Sequence, residues 1–324
     1  MSIDVIPHVS ISPSKIVLYN QFLGLPYSPR ESNSWKDNFK SNLTQGQISK
    51  SAESKIRLAI DWLIFLSPYK KVYLKKEKKS FRFKVNFITL TLPSAQVHDD
   101  VFIKRNMLNH FLQILRYKHK MKFYVWRAEA QVNGNIHFHI TTNVFVEYWL
   151  VKKYWNKILD KHGYIKHYSR NQKKFFANGF TLSKNEWDYR TFRQQYKSYI
   201  WNSLIDWQCP NSTDIHSVKN IKKLGAYLAK YFTKNSTDRP IDGRLWYVSS
   251  ELSKLKSSID VIDQRLSLEI NFLLRKFSDN HKGFEYADIL YLDYAQWKSL
   301  DVPELKKLFK SYFNDVLFNQ EFKI

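Results

Sequence analysis

The sequence predicts an α+β protein, with an antiparallel sheet and helices packed on its faces. Three observations carry this. Residues 83–92 and 123–142 read as strands, the second run folded back on itself at Asn133-Gly134. Residues 52–66, 99–119 and 147–162 repeat apolar side chains at helical spacing. Hydrophobic residues make up 44% and aromatic residues 16% of the 324, enough to bury a large core. That length suits one large domain or two of ordinary size.

Taken in order, residues 1–50 are rich in Ser, Asn and Pro and read as a poorly structured arm. In the first helix Ile56, Ala59, Ile60 and Leu63 share a face. The basic stretch from Lys70 to Lys79 is either a solvated loop or a phosphate-contacting one. Phe83 to Leu92 is a strand of β-branched and aromatic residues stopped by Pro93. A helix from Asp99 to about His119 leads into a hairpin, Phe123–Gln131 and Ile136–Thr142. The helix from Glu147 to His162 ends at Gly163. Residues 164–182 are basic and aromatic, with no element assigned. Ser183-Lys184-Asn185-Glu186 has capping-box spacing and opens a long helix to about Trp207. Another helix spans about 218–234, and Arg244–Ser249 is a short strand. The region 251–324 reads as mostly helical, with a helix start at Asp301-Val302-Pro303-Glu304. This divides the chain into an arm (1–50), a main domain (51–250) with a helical insertion at about 147–215, and a helical C-terminal region (251–324).

The charge narrows the function. There are 52 Lys+Arg against 29 Asp+Glu, a net charge of +23. Such an excess calls for a polyanionic partner, nucleic acid first and an acidic membrane surface second. An AT-rich genome also inflates Lys without any selection for binding. Cys209 is the single cysteine, which excludes a disulfide framework and a cysteine-based zinc site and fits a reducing cytoplasm. Met1–Pro7 has no basic start followed by an apolar core, so no signal peptide is expected. The apolar run Leu58–Leu66 contains Asp61 and is too short to span a membrane. With 8 glycines and no GxxxxGK[ST], the chain has no Walker A motor motif.

The chemistry centres on His137-Phe138-His139. Residues i and i+2 on a strand share a face, with Cβ atoms roughly 6–7 Å apart, so the two imidazoles can share a metal ion while Phe138 enters the core. Glu129 lies on the partner strand, and its face depends on the turn. A two-residue Asn133-Gly134 turn puts it opposite the histidines. A three-residue loop with Gly134 in the αL position pairs it with His137 and brings Gln131 to the same face; Gly at the third loop position favours this register. Either Glu129 or Gln131 then completes the set. Two imidazoles and a carboxylate leave coordination positions open, which suits Mg²⁺ or Mn²⁺ on a phosphate, and the histidines are compatible with zinc. Farther on, Tyr227 and Tyr231 are i and i+4 on a helix, as are Lys230 and Lys234. A tyrosine hydroxyl, with a pKa near 10, attacks a phosphodiester when positive charge stabilises the phenolate and a metal polarises the phosphate.

This order of motifs resembles the rolling-circle replication initiators of the HUH endonuclease superfamily. Phe87–Thr91 is similar to their first motif, and His137-Phe138-His139 to the metal motif with its hydrophobic middle residue. Tyr227-Leu228-Ala229-Lys230-Tyr231 resembles the nucleophile motif in the two-tyrosine form of microvirus initiators. Gly243–Trp246 with Ser249 is similar to a short strand that follows this motif in phage and plasmid initiators. The resemblance covers about residues 83–250, and a long stretch between the second and third motifs departs from the family.

The resemblance implies an HUH/RRM-like (ferredoxin-like) sheet of about five strands. It implies a metal-dependent endonuclease and ligase acting on single-stranded DNA at a rolling-circle origin. His137, His139 and Glu129 would hold Mg²⁺ or Mn²⁺. Tyr227 would form the 5′-phosphotyrosine, Tyr231 would attack the regenerated origin, and Lys230 would offset negative charge. The implied partners are an origin hairpin, a host helicase and a DNA polymerase, in the cytoplasm of a bacterial host, with no membrane. Two alternatives compete. A relaxase- or transposase-type HUH nickase shares the site, but relaxases place the tyrosine before the histidines and the single-tyrosine transposases are shorter. A non-catalytic basic module would use the same histidines only to contact phosphate.

Overall fold

The computed structural model describes residues 4–23, 48–74, 78–183, 188, 190–217, 228, 239–276, 281–284, 287–292, 296 and 302–319. It is α+β, with two five-stranded antiparallel sheets and one two-stranded ribbon among these residues. The chain opens with β1 (Asp4–Ser12) and β2 (Lys15–Leu23), then α1 (Lys50–Leu66), β3 (Lys70–Leu74), β4 (Lys79–Phe83) and β5 (Asn86–Leu90). Helix α2 runs from Asp100 to His119 and contains a π-helical stretch, Ile103–Leu108. The hairpin β6 (Tyr124–Ala130) and β7 (Ile136–Thr142) follows. Next come α3 (Tyr148–Lys161), α4 (Tyr164–Phe175), α5 (Phe192–Leu204), β8 (Thr213–Ser217) and β9 (Trp246–Val248). The chain closes with β10 (Ser258–Val261), α6 (Gln264–Lys276), β11 (His281–Gly283), β12 (Ala287–Tyr291) and α7 (Pro303–Asn319).

One sheet has the order β8-β5-β7-β6-β9. Strand alternation sorts its side chains onto two faces. Ile88, Leu90, Trp126, Ala128, Ile136, Phe138 and Ile140 pack with α2 and α3 in one apolar cluster. Phe87, Val125 and Val248 turn to the other face and join a second cluster with Ile56, Ile60 and Leu63 of α1. Leu228, the described residue of the tyrosine motif, is helical and fully buried in that second cluster. Both faces of the sheet are therefore largely apolar, and the polar exceptions stand out.

Several expectations change. Residues 4–23, read as an arm, form a hairpin inside the other sheet, ordered β10-β1-β2-β12-β11. Its remaining strands come from residues 258–291, so the C-terminal region is not mostly helical; α7 does start at Pro303. The strand expected over 83–92 is broken at Lys84: Phe83 pairs with Lys70 in the ribbon, and pairing with β7 begins at Asn86. The basic stretch 70–79 supplies ribbon strands rather than a loop. Residues 164–175 are helical. The capping box sits at Thr191 and Gln194, not at Ser183, and α5 starts there. Glu186 lies outside the described residues.

Helix α1 also ties the second sheet to the core. Ser14, in the β1–β2 turn, donates a 2.5 Å hydrogen bond to Asp61 Oδ2. Burial pushes the Asp61 carboxyl up to about 6, against the pull of Ser14, Lys15 and Arg57. The folded protein thus binds this proton more tightly than the unfolded chain. That contribution is full below the unfolded value and is lost as pH rises through about 6. Asp61→Asn should therefore raise stability at pH 8 by about 1–3 kcal/mol. Thermal melts from acid to mildly alkaline pH check this, with the gain shrinking toward acid.

Candidate metal centre

The hairpin register places the polar exceptions. Gln131 N–H donates to Asn135 O and Gly134 N–H to Gln131 O, at 2.9 and 2.8 Å. Gly134 has φ 80°, the αL conformation that a glycine adopts without strain. This is the three-residue loop, so Glu129 stands opposite His137 and Arg127 opposite His139. Phe87 and Thr89 on β5 lie opposite Thr141 and His139. One face of the sheet thus carries a strip of Thr89, His139, His137, Glu129 and Arg127 between apolar flanks.

Side chains of this strip converge. Glu129 Oε1 is 2.7 Å from His139 Nε2 and 3.3 Å from His137 Nε2. The two Nε2 atoms are 2.7 Å apart, with the rings edge to face at 83°. A ring nitrogen holds either one proton or one lone pair. A proton on His139 Nε2 serves the carboxylate and offers no lone pair to His137; a lone pair there leaves the carboxylate unserved. Hydrogen bonding satisfies only part of this triangle, whereas a cation takes up all three lone pairs. The donor set therefore fits a divalent ion, and its one oxygen and two imidazoles do not choose among Mg²⁺, Mn²⁺ and zinc.

The surroundings prepare the ligands. Burial pushes His139 below the ordinary histidine range, with Glu129 opposing, which favours the neutral ring a metal needs. Burial opposes ionisation of Glu129 too, yet hydrogen bonds and charge from His137 and His139 hold its carboxyl far below the usual range. Thr89 Oγ1 is 3.2 Å from His139 Nδ1. With Nδ1–H donating to that hydroxyl, Nε2 keeps its lone pair. The Phe87 ring stacks on His139 at 5.0 Å and fixes its plane. Arg127 is 3% exposed beside Glu129, and burial lowers its pKa while Glu129 raises it. Thr89→Val keeps the shape and removes the hydroxyl. It should weaken Mn²⁺ binding about 10–100-fold, read by electron paramagnetic resonance titration, with an unchanged circular dichroism spectrum.

Residues 85–236 match the family model of replication-associated proteins of the ORF2 type. No curated protein and no solved structure matches the chain. The matched segment is just under half of the chain and supports a replication initiator. It contains all of the metal triangle and the Tyr227–Tyr231 motif. Tyr227, Lys230 and Tyr231 themselves lie outside the described residues.

The strip explains which functional residues the sequence hid. Glu129, His137 and His139 were each visible, and the structure brings them together. Arg127 and Thr89 were not singled out; once the hairpin parity is known, alternation alone puts Arg127 beside Glu129. Gln131 is half-buried just beyond the end of β6. Among the described residues no helix is long and apolar enough to cross a membrane.

Proposed function

We propose that this protein is a replication initiator of the HUH type, which nicks and rejoins single-stranded DNA at a rolling-circle origin. The carrying observation is the Glu129–His137–His139 triangle inside a segment similar to replication-associated proteins. The sheet that bears it is the HUH/ferredoxin-like core of a domain spanning residues 51–250, in the two-tyrosine form found in phage and plasmid initiators. His137, His139 and Glu129 hold a divalent ion, Mg²⁺ or Mn²⁺. When bound, such an ion draws electron density from the scissile phosphate and eases attack on it.

The rest is work for side chains of this chain. Tyr227 Oη attacks the phosphorus, the bond to the 3′ oxygen breaks, and the 5′ phosphate stays on the tyrosine. The hydroxyl proton leaves Tyr227, and the departing 3′ oxygen takes up a proton to become a free 3′-OH. Lys230 offsets the negative charge on the phenolate. The 3′-OH primes a separate polymerase, and unwinding falls to a separate helicase. After one round Tyr231 repeats the attack on the regenerated origin, and the 3′-OH resolves the first adduct. Thr89 and Phe87 hold the His139 ring in place. The net charge of +23 gives electrostatic hold on the strand. The work takes place in the cytoplasm of a bacterial host.

The test uses labelled single-stranded origin DNA with Mg²⁺ or Mn²⁺. A protein–DNA adduct should survive denaturation, with the phosphotyrosine mapped to Tyr227 by mass spectrometry. Tyr227→Phe should abolish it, and Tyr231→Phe should leave the first cut intact. Loss of the first cut in Tyr231→Phe alone would reverse the two roles. Absence of an adduct on every origin DNA would leave a basic single-stranded nucleic-acid-binding module.

A further inference from the structure

A second cationic feature lies on the opposite face of the same sheet. Between α2 and the β6–β9 edge runs a groove of about 610 Å³. That volume is within the roughly 300–1,000 Å³ of small-ligand sites. Lys104, Arg105, Arg116 and Arg244 line it, with Tyr124, Trp126 and Tyr247, and no acidic side chain lines it. Alternation puts Trp126 and Tyr247 on the helix side, away from Arg127 and Trp246.

The groove is built rather than accidental. The α-helical ladder of α2 widens into its π-helical turn at Ile103–Leu108, which supplies Lys104, Arg105 and Leu108 to the wall. Such turns occur mostly as single insertions and often mark functional sites. Gly243, at φ 72°, turns the chain so that the carbonyls of Asp242 and Arg244 both accept from Lys104 Nζ. Lys104 is thereby committed to the wall, and Arg105, Arg116 and Arg244 carry the charge offered to a ligand. Arg105, Arg116 and Arg244 are exposed. Tyr247 is half-buried, with the Arg244 guanidinium 5.3 Å from its ring centre. Trp126 stacks behind Tyr247 at 6.3 Å and 27°. Burial pushes the Tyr124 hydroxyl up to about 12, so it remains a neutral donor.

We propose that this groove binds an unpaired nucleotide of a single DNA strand, with its base stacked at Tyr247 and Arg244 and its phosphates at Arg105 and Arg116. A flat aromatic platform, a guanidinium beside it and flanking cations form the chemistry that holds single strands without reading their sequence. A strand, rather than a free nucleotide, is the occupant because β9 is the edge strand. Its consecutive residues Trp246 and Tyr247 face the metal side and the groove side, so one strand can pass round the edge and touch both. The site concerns DNA outside the cut position and does not require nicking to occur.

The experiment measures binding of a fluorescein-labelled oligothymidylate by anisotropy, in EDTA so that no cleavage intervenes. Tyr247→Ala should weaken binding at least about fivefold, with Tyr247→Phe close to the native protein. Arg116→Ala should lower the slope of log K against log salt by roughly one. Ultraviolet cross-linking of a bromodeoxyuridine oligonucleotide should label Tyr247. Unchanged affinity and slope in both variants, or a cross-link mapped only to the metal face, would overturn the proposal. So would thymidine monophosphate binding that depends on Tyr247 while oligonucleotide binding does not. Because the readout needs neither metal nor tyrosine adduct, failure of the nicking reading leaves these results separately legible.

Discussion

His139→Ala should abolish covalent attachment to origin DNA, with a fall of about a thousandfold or more in the cleavage rate. A bound metal supplies several kcal/mol of charge stabilisation to phosphoryl chemistry, and each 1.36 kcal/mol is tenfold in rate. His139 is the centre of the triangle, 2.7 Å from both other ligand atoms. Its loss removes a ligand and leaves Glu129 without one of the groups that keep its carboxyl ionised. His137→Ala should act in the same direction. Mn²⁺ titration followed by electron paramagnetic resonance, run beside the adduct assay, checks the cause. Both variants should lose the bound-Mn²⁺ signal while their melting curves stay cooperative. Retained Mn²⁺ binding with lost cleavage would remove the histidines from the ligand set.

The second large effect is on stability. Arg239 forms a two-armed ion pair with Asp100, at 2.7 and 2.8 Å, and its Nε donates to Gly134 O at 2.6 Å. Asp100 is 2% exposed and also accepts from Gln96 Nε2 and the Asp242 N–H. Gln96 in turn accepts from the Ile136 N–H. The network ties the start of α2, the β6–β7 turn and the chain at 239–242 together. Arg239→Ala should destabilise by about 3–5 kcal/mol, because it strands a buried carboxylate. Burial pushes the Asp100 carboxyl up, but Arg239 and Gln96 prevail and hold it below the usual range. Its contribution is therefore present above the ordinary carboxylate value and lost as pH falls through the lowered native one. Urea melts at pH 7 and below pH 3 check this, with the difference between native and Arg239→Ala narrowing in acid. In Asp100→Asn the amide keeps the shape without the charge, so part of the loss should be recovered.

What the sequence revealed follows from distance along the chain. The β6–β7 register was legible because one three-residue loop ending in Gly134 fixes the parity of every side chain in the hairpin. Helix α1 was legible because its buried positions, Ile56, Ala59, Ile60 and Leu63, repeat with the helical turn. The Arg239–Asp100 pair spans 139 residues, and nothing local marks either partner. The break at Lys84 was hidden because Phe83, Val85 and Phe87 are all buried, so apolar alternation runs straight through it. The capping signal occurs twice, at Ser183/Glu186 and Thr191/Gln194, and the pattern alone does not choose between them. The N-terminal strands were missed because their Ser- and Pro-rich composition imitates a loop, while their outer partners are residues 258–291.

That last pairing has a consequence for synthesis. The Ile11 N–H donates to Ser258 Oγ, 247 residues downstream. At about 5–20 residues per second, a ribosome takes roughly 12–50 s to deliver that partner after β1 has emerged. The metal-bearing sheet needs nothing beyond Val248, so all its strands are available first. Throughout that interval β1 and β2 wait as a two-stranded hairpin with unpaired backbone on both outer edges, a template for aggregation. Nascent chains stalled shortly before residue 258 are thus the species most in need of a chaperone.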